Sequence, residues 1–86
     1  MNRFFVYILR CSGDTLYCGW TTDIEKRVST HNAGKGAKYT RSRRPVKLVH
    51  VDEYADKHSA MSREWHIKHM NRAEKLKLVE TAEQDE

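Results

Sequence analysis

Eighty-six residues, 38% of them apolar and 33% charged, bound this chain to one small domain with a modest core. No apolar run approaches the roughly 18 residues of a membrane span. The first residues lack the charged, apolar and small-residue succession of a secretory leader, so the default expectation is a cytoplasmic monomer.

The net charge of +4 is unevenly spread. Residues 81–86 hold Glu83, Asp85 and Glu86 and no base, so residues 1–80 alone carry +7. We read 1–80 as the single domain and 81–86 as an acidic, frayed tail.

The first twenty residues read as a hairpin, with strands Arg3–Cys11 and Thr15–Trp20 joined at Ser12-Gly13-Asp14. Alternation puts Phe5, Tyr7 and Leu9 on one face and Val6 and Ile8 on the other. A three-residue loop, for which Gly13 can supply a positive φ, sets Leu9 opposite Tyr17 and Tyr7 opposite Gly19. Both phenols then share a face; a two-residue loop would separate them. In this register Cys11 and Cys18 point to opposite faces, which suits two reduced thiols and not a disulfide.

Thr22-Asp23-Ile24-Glu25 has the form of a capping box, so a helix should start at Asp23 and stop at Gly34. Ile24, Arg27, Val28 and His31 fall on one stripe of it. Ile24 and Val28 anchor that stripe on the sheet. Arg27 and His31 either reach over the sheet edge or return their tips to water.

Gly34 to Pro45 reads as a loop. Residues 35–47 carry Lys35, Lys38, Arg41, Arg43, Arg44 and Lys47 with no acid, a block that concentrates phosphate or simply keeps the surface solvated. Tyr39 within it suits a base-stacking ring.

Val46–Tyr54 reads as a third strand. Asp56 can cap a second helix, Lys57 to about Met70, with Ala60, Met61, Trp65, Ile67 and Met70 as its apolar positions. Glu64 lies in the middle of that apolar stripe. A lone carboxylate there needs a cation or strong donors; a structural salt bridge to an arginine such as Arg27 competes with a functional role. Asn71-Arg72-Ala73-Glu74 resembles a further cap, opening a short helix through Val79 with Ala73, Leu76 and Val79 inward.

The order β-β-α-β-α-α gives the fold class: α+β, a small, mostly antiparallel three-stranded sheet with helices packed on it. His66 and His69 could share a metal, but no third ligand stands at a zinc-like spacing. No phosphate-binding glycine loop, nucleophile elbow or C-x-x-C is present. Taken singly, Tyr7 and Tyr17 are packing residues. Taken together, two phenols, a helical Arg/His pair and a half-buried carboxylate at one sheet face are the parts that phosphodiester cleavage needs. A base takes a proton from water, a cation holds the phosphate oxygens, and a carboxylate holds a divalent metal.

At these residues the chain resembles the GIY-YIG nuclease domains, in particular their small standalone UPF0213 (YhbQ/YazA-like) branch. Phe5-Val6-Tyr7 and Tyr17-Cys18-Gly19 take the places of the two signature tripeptides. Phe5 replaces the signature glycine and Cys18 the isoleucine. The likeness continues through Gly19-Trp20-Thr21-Thr22-Asp23, Arg27, His31-Asn32, Gly34 to Arg41, Arg44-Pro45, Arg63-Glu64, Ile67-Lys68 and Arg72 to Lys75.

The resemblance implies a role for each. Tyr7 assists in activating the attacking water. Tyr17 orients that water or the phosphate. Arg27 stabilises the pentacovalent phosphate, and His31 acts as base or proton relay. Glu64 binds one Mg²⁺ or Mn²⁺. Gly19, Lys35, Lys38, Tyr39, Arg41 and Arg44 are expected substrate contacts. A phenol of ordinary pKa is a poor base at neutral pH, so Arg27 or the metal is expected to favour the phenolate of Tyr7.

The implied activity is a metal-dependent DNA endonuclease acting in repair, recombination or DNA uptake, with single-stranded or branched DNA as substrates. These 86 residues are expected to act without an added DNA-binding domain, so binding is expected to be loosely specific and salt-sensitive. The alternatives are a nucleic-acid-binding module without catalysis and a small interaction protein that meets an acidic partner.

Overall fold

A computed structural model describes residues 3–84, and side-chain surroundings for 3–80. The chain runs β1 (Phe4–Arg10), β2 (Leu16–Thr21), α1 (Ile24–Asn32), α2 (Lys38–Arg41), β3 (Lys47–Tyr54), α3 (Lys57–Lys68) and α4 (Arg72–Gln84). The strands form one antiparallel sheet in the order β2-β1-β3. The expected α+β architecture stands, with one helical turn, α2, added where a plain loop was expected.

The hairpin closes through three residues. Cys11 N donates to Thr15 O at 2.8 Å, and Gly13 and Asp14 take φ of +86° and +64°. Aspartate is among the few residues that tolerate this region. The register is the expected one: Tyr7 faces Gly19 and Leu9 faces Tyr17. Arg72 pins the turn from the start of α4, donating from Nη2 to Asp14 O at 2.7 Å.

Alternation then builds two interiors. On one face Val6, Ile8 and Cys18 pack with Ala60, Ile67 and Val79; on the other, Tyr7, Leu9, Cys11 and Val46 pack with Tyr17, Ile24, Val28 and Leu48. The cysteines fall in different interiors, both as free thiols. Each fully buried aliphatic side chain contributes about 1.5–3 kcal/mol by leaving water.

The caps hold with one shift. Asp23, not Thr22, caps α1: its carboxylate accepts from Lys26 N at 3.1 Å. Thr21 Oγ1 accepts from Asp23 N at 3.1 Å, which fixes Asp23 in the extended conformation a cap needs. Gly34, at φ +80°, ends the helix and donates to His31 O at 3.1 Å.

Asn32 then clamps the next connection shut. Its amide donates to Val46 O at 3.1 Å and its carbonyl accepts from Val46 N at 2.7 Å. Residues 33–45 are thereby a closed loop on a fixed stem.

Asp56 caps α3 through Ser59 N at 2.8 Å. The helix stops at Lys68, two residues short of Met70. Ala60 and Ile67 are fully buried, but Met61 and Trp65 are 47% and 57% exposed, against expectation. Helical rotation explains it: residues 60, 64 and 67 share one narrow face, and 61 and 65 fall beside it.

Asn71 and Glu74 form a reciprocal capping box, with Glu74 N to Asn71 Oδ1 at 2.9 Å and Asn71 N to Glu74 Oε1 at 3.2 Å. Val79 is buried as expected; Ala73, expected inward, is exposed. The helix runs past Val79 to Gln84, and the rest of the expected tail, residues 85–86, lies outside the described residues. Among the described residues no helix is long and apolar enough to cross a membrane.

Candidate active site

Tyr7 sits at the centre of the sheet, 1% exposed. Its ring lies over the backbone of Gly19, where an added Cβ would stand 2.5 Å from the phenol oxygen. The glycine expected to touch substrate therefore makes room for the tyrosine. Tyr7 Oη is 3.1 Å from His31 Nε2, and His31 Nδ1 is 2.7 Å from Thr40 Oγ1. Thr40 in turn donates to Ala37 O at 3.0 Å.

One assignment of protons makes all three contacts hydrogen bonds. A carbonyl only accepts, so the single Thr40 hydroxyl proton goes to Ala37 O. His31 Nδ1 must then carry hydrogen and donate to Thr40 Oγ1. Nε2 is left as the lone pair that accepts the Tyr7 hydroxyl. Burial first, and the Arg27 guanidinium second, hold His31 below its usual 6.5, so the ring is neutral at pH 7. Burial, followed by the neighbouring Tyr17, pushes the Tyr7 phenol well above its ordinary 10.0. Tyr7 is thus a protonated phenol aimed at a neutral imidazole. Gly36 presses its backbone on the His31 ring; a side chain there would collide with it.

Tyr7 opens onto a cavity of about 400 Å³ lined by Tyr17, Gly19, Trp20, Thr21, Thr22, Arg27 and Glu64 as well. Four of the five expected catalytic side chains thus meet in one space, with the fifth, His31, directly behind Tyr7. They do not come from one sheet face, as expected. Arg27 and His31 ride on α1, whereas Glu64 rides on α3, which covers the opposite face against β1 and β2. The two sets meet across β2, an edge strand, where Gly19 offers no side chain to part them.

Glu64 pairs with Lys68 at 3.6 Å, and not with Arg27. Its carboxylate, 19% exposed, is a hard oxygen donor on the cavity wall. Among the described residues no group of three or more His, Cys, Asp or Glu converges to hold a metal ion. Glu64 fits the single-carboxylate binding typical of Mg²⁺, whose other positions go to water and phosphate oxygens.

The basic segment is ordered by its own aromatic and main-chain contacts. Tyr39 stacks on Tyr17, centroids 5.9 Å apart, and carries the Arg43 guanidinium 3.9 Å from its centroid. Arg43 also donates to Tyr39 O at 2.8 Å. Arg44 donates to Arg41 O at 2.8 Å and to Asn32 O at 3.4 Å, over Gly34, so this exposed side chain also straps the loop. Lys35, Lys38 and Arg41 are exposed, as substrate contacts require. Sequence reasoning missed Thr40, Gly36 and Arg43. Thr40 is 0% exposed within an otherwise basic, solvated run, and nothing in that run marks it.

Comparison with known proteins agrees with this geometry. Residues 3–77 match the family model of the GIY-YIG catalytic domain. The UPF0213 protein YsiG of Lactococcus lactis is 58% identical over 80 residues, which are 92% of this chain and 77% of that one. The UPF0213 protein SH2523 of Staphylococcus haemolyticus is 51% identical, covering 93% of this chain and 98% of its own length. The solution NMR structure of the UPF0213 protein BH0048 from Bacillus halodurans superposes with a TM-score of 0.61 at 43% identity, over 92% of this chain and 84% of that one. That of EF2693 from E. faecalis gives 0.64 at 32%, over 94% and 86%. Signature positions, sheet order and full-length likeness agree: the chain belongs to the GIY-YIG nuclease superfamily, in its UPF0213 branch.

Proposed function

We propose that this domain is a metal-dependent DNA endonuclease that hydrolyses phosphodiesters in single-stranded or branched DNA during repair, recombination or uptake. The observation that carries the reading is the hydrogen-bonded chain Tyr7–His31–Thr40 ending at a cavity that also presents Arg27 and Glu64. A packing tyrosine needs one satisfied partner. It does not need a neutral imidazole with its tautomer fixed from behind.

In this reading a water beside Tyr7 loses its proton to the phenol oxygen as the phenol passes its own proton to His31 Nε2. The base is then the imidazole, acting through the tyrosine, and no free phenolate is required at pH 7. The resulting imidazolium is held by its Nδ1 bond to Thr40. Tyr17, across the cavity, orients the water or the phosphate. Arg27 meets the charge that builds on the non-bridging oxygens, in a site partly shielded from water where such a contact is strengthened. Glu64 would hold a Mg²⁺ or Mn²⁺ ion, which would supply further positive charge to the phosphate. Lys35, Lys38 and Arg41 gather the DNA by charge, so binding weakens with salt.

The test is a nicking assay with Mg²⁺ or Mn²⁺ on single-stranded, duplex and branched DNA. The wild type should cut at least one form, and Arg27→Ala and Glu64→Ala should cut none while keeping the native circular dichroism. A wild type inert on every form with both metals overturns the proposal. The second reading, a binding module without catalysis, draws on the acid-free basic segment alone. It requires binding that ignores EDTA and survives Glu64→Ala.

A further inference from the structure

We infer that the outer face of α3 is a second nucleic-acid contact, where Trp65 offers its indole to an unpaired base of the strand leaving the cavity. The inference rests on the nuclease reading and extends it to a surface outside the catalytic residues.

The ring expected to stack on bases, Tyr39, already has Tyr17 and the Arg43 guanidinium against it and is 38% exposed. Trp65 is 57% exposed, the most open large apolar side chain among the described residues. Leaving an indole in water forgoes the gain of burying it, so a partner that covers it has that gain to collect.

The indole is also held in place. The His69 ring stacks on it at 3.9 Å and 24°, and the His66 ring meets it edge-on at 5.2 Å. Both histidines are fixed in turn, each donating from Nδ1 to a main-chain carbonyl at 2.7 Å, Ser62 O and Trp65 O. A platform ordered before binding loses little further side-chain freedom on binding.

Charge selects the partner. The only acid of α3 is Glu64, turned into the cavity. Lys57 Nζ stands 5.4 Å from the Trp20 ring centroid and Lys68 Nζ stands 3.6 Å from Glu64. Trp20 and Glu64 both line the cavity, so two ammonium groups flank it along this helix. Trp65 follows Glu64 directly. Lys68 lies one helical turn from both Glu64 and Trp65, so a strand whose phosphate sits between Arg27 and Glu64 reaches the indole by passing over Lys68. An acidic peptide satisfies the lysines but brings no flat ring to the indole, and a duplex keeps its bases stacked inside. An unpaired nucleotide satisfies both.

The experiment is binding of fluorescein-labelled oligothymidylate, and of a duplex of equal length, followed by anisotropy in EDTA. Trp65→Ala should weaken single-strand binding roughly tenfold, and Trp65→Phe should restore most of it. Duplex binding should change less than about twofold, because phosphate contacts carry it. Lys68→Ala should lower the salt slope by about one phosphate contact without changing the preference between strands. An unchanged single-strand affinity in Trp65→Ala overturns the inference, as does an equal loss on both DNA forms. EDTA removes cleavage from the measurement, so the two proposals fail separately. Nicking with unaltered Trp65→Ala binding removes this one alone, and absent nicking with a Trp65-dependent affinity removes only the catalytic reading.

Discussion

On one face of the sheet Val6, Ile8 and Cys18 meet Ala60, Ile67 and Val79, a cluster of aliphatic side chains and one thiol. On the other, Tyr7, Leu9, Cys11 and Val46 close over His31 and Thr40, whose polar atoms are all bonded in one line. The first interior is held by non-directional burial, which tolerates repacking. The second tolerates one arrangement only, since each buried donor there has a single acceptor. Stability and chemistry should therefore separate under mutation between these two clusters, with Glu64 the one candidate site residue that α3 brings from the first side.

The sharpest separation is expected at Tyr7. Tyr7→Phe removes the hydroxyl that joins water to His31 and should slow single-turnover cleavage by roughly 10²–10⁴-fold. Arg27→Ala follows, with a loss of roughly 10²–10³-fold. Arg27→Ala should melt near the wild-type temperature, and Tyr7→Phe, which leaves the His31 Nε2 lone pair without its donor, should lose about 1–3 kcal/mol; a larger drop for either would erase the distinction between the faces.

Ile67→Ala attacks the aliphatic interior. It should cost about 2–5 kcal/mol in urea unfolding, with the rate per folded molecule unchanged. In a domain of this length each kcal/mol is worth about 4–8 °C in melting temperature.

Thr40→Val comes next. It leaves His31 Nδ1–H without its acceptor, a loss of about 1–3 kcal/mol, or lets the ring flip to the tautomer that cannot accept from Tyr7. Rate should fall about tenfold or more, the ¹⁵N shifts of His31 should report the changed tautomer, and Thr40→Ser should restore both.

Titration extends the contrast. His31 is held below 6.5 in the fold, so between that lowered value and 6.5 the unfolded chain binds more protons. Stability should be complete above pH 6.5 and decline as pH falls through this window. Cleavage should decline only at the foot of that window, where the folded His31 takes a proton and its accepting lone pair is lost. On the alkaline side burial, then Glu64, lifts the Cys18 thiol from 9.0 to about 12, and burial lifts Tyr7 above 10.0. Both groups charge more readily when unfolded, so stability should fall again as pH climbs past 9. Cys18→Ala should flatten part of that limb.

The smallest effect is expected from Lys68→Ala. The pair with Glu64 is half exposed on the lysine side and worth at most about 1 kcal/mol. Freed of it, Glu64 should reach half-maximal activity at a few-fold lower Mg²⁺ concentration.

Much of this was legible in the sequence. Period-two alternation and one glycine in the turn placed Tyr7 beside Gly19 and Tyr17 opposite Leu9, because one face must be buried and a slip would reverse it. The capping residues placed the starts of α1, α3 and α4 to within a residue and the ends of α1 and α3 to within two, while α4 runs on from Val79 to Gln84. The misses share a cause. Thr22 and Asp23 both look like caps, and only the Thr21 hydroxyl, bonding the Asp23 amide, decides between them. Met61 and Trp65 read as core because they are apolar, yet Ala60, Glu64 and Ile67 hold the one face the narrow sheet can cover. Thr40 lies nine residues from the ring it orients, across a turn whose path no local pattern states.

The Asn32–Val46 clamp has a consequence for how such domains diversify. With both ends riveted together, the stretch between them can be exchanged as a cassette without disturbing the strands on either side. A graft there that keeps Gly34, Gly36, Tyr39, Thr40 and Arg44 keeps the His31 ring in its place, and the exposed Lys35, Lys38 and Arg41 are free to be rewritten.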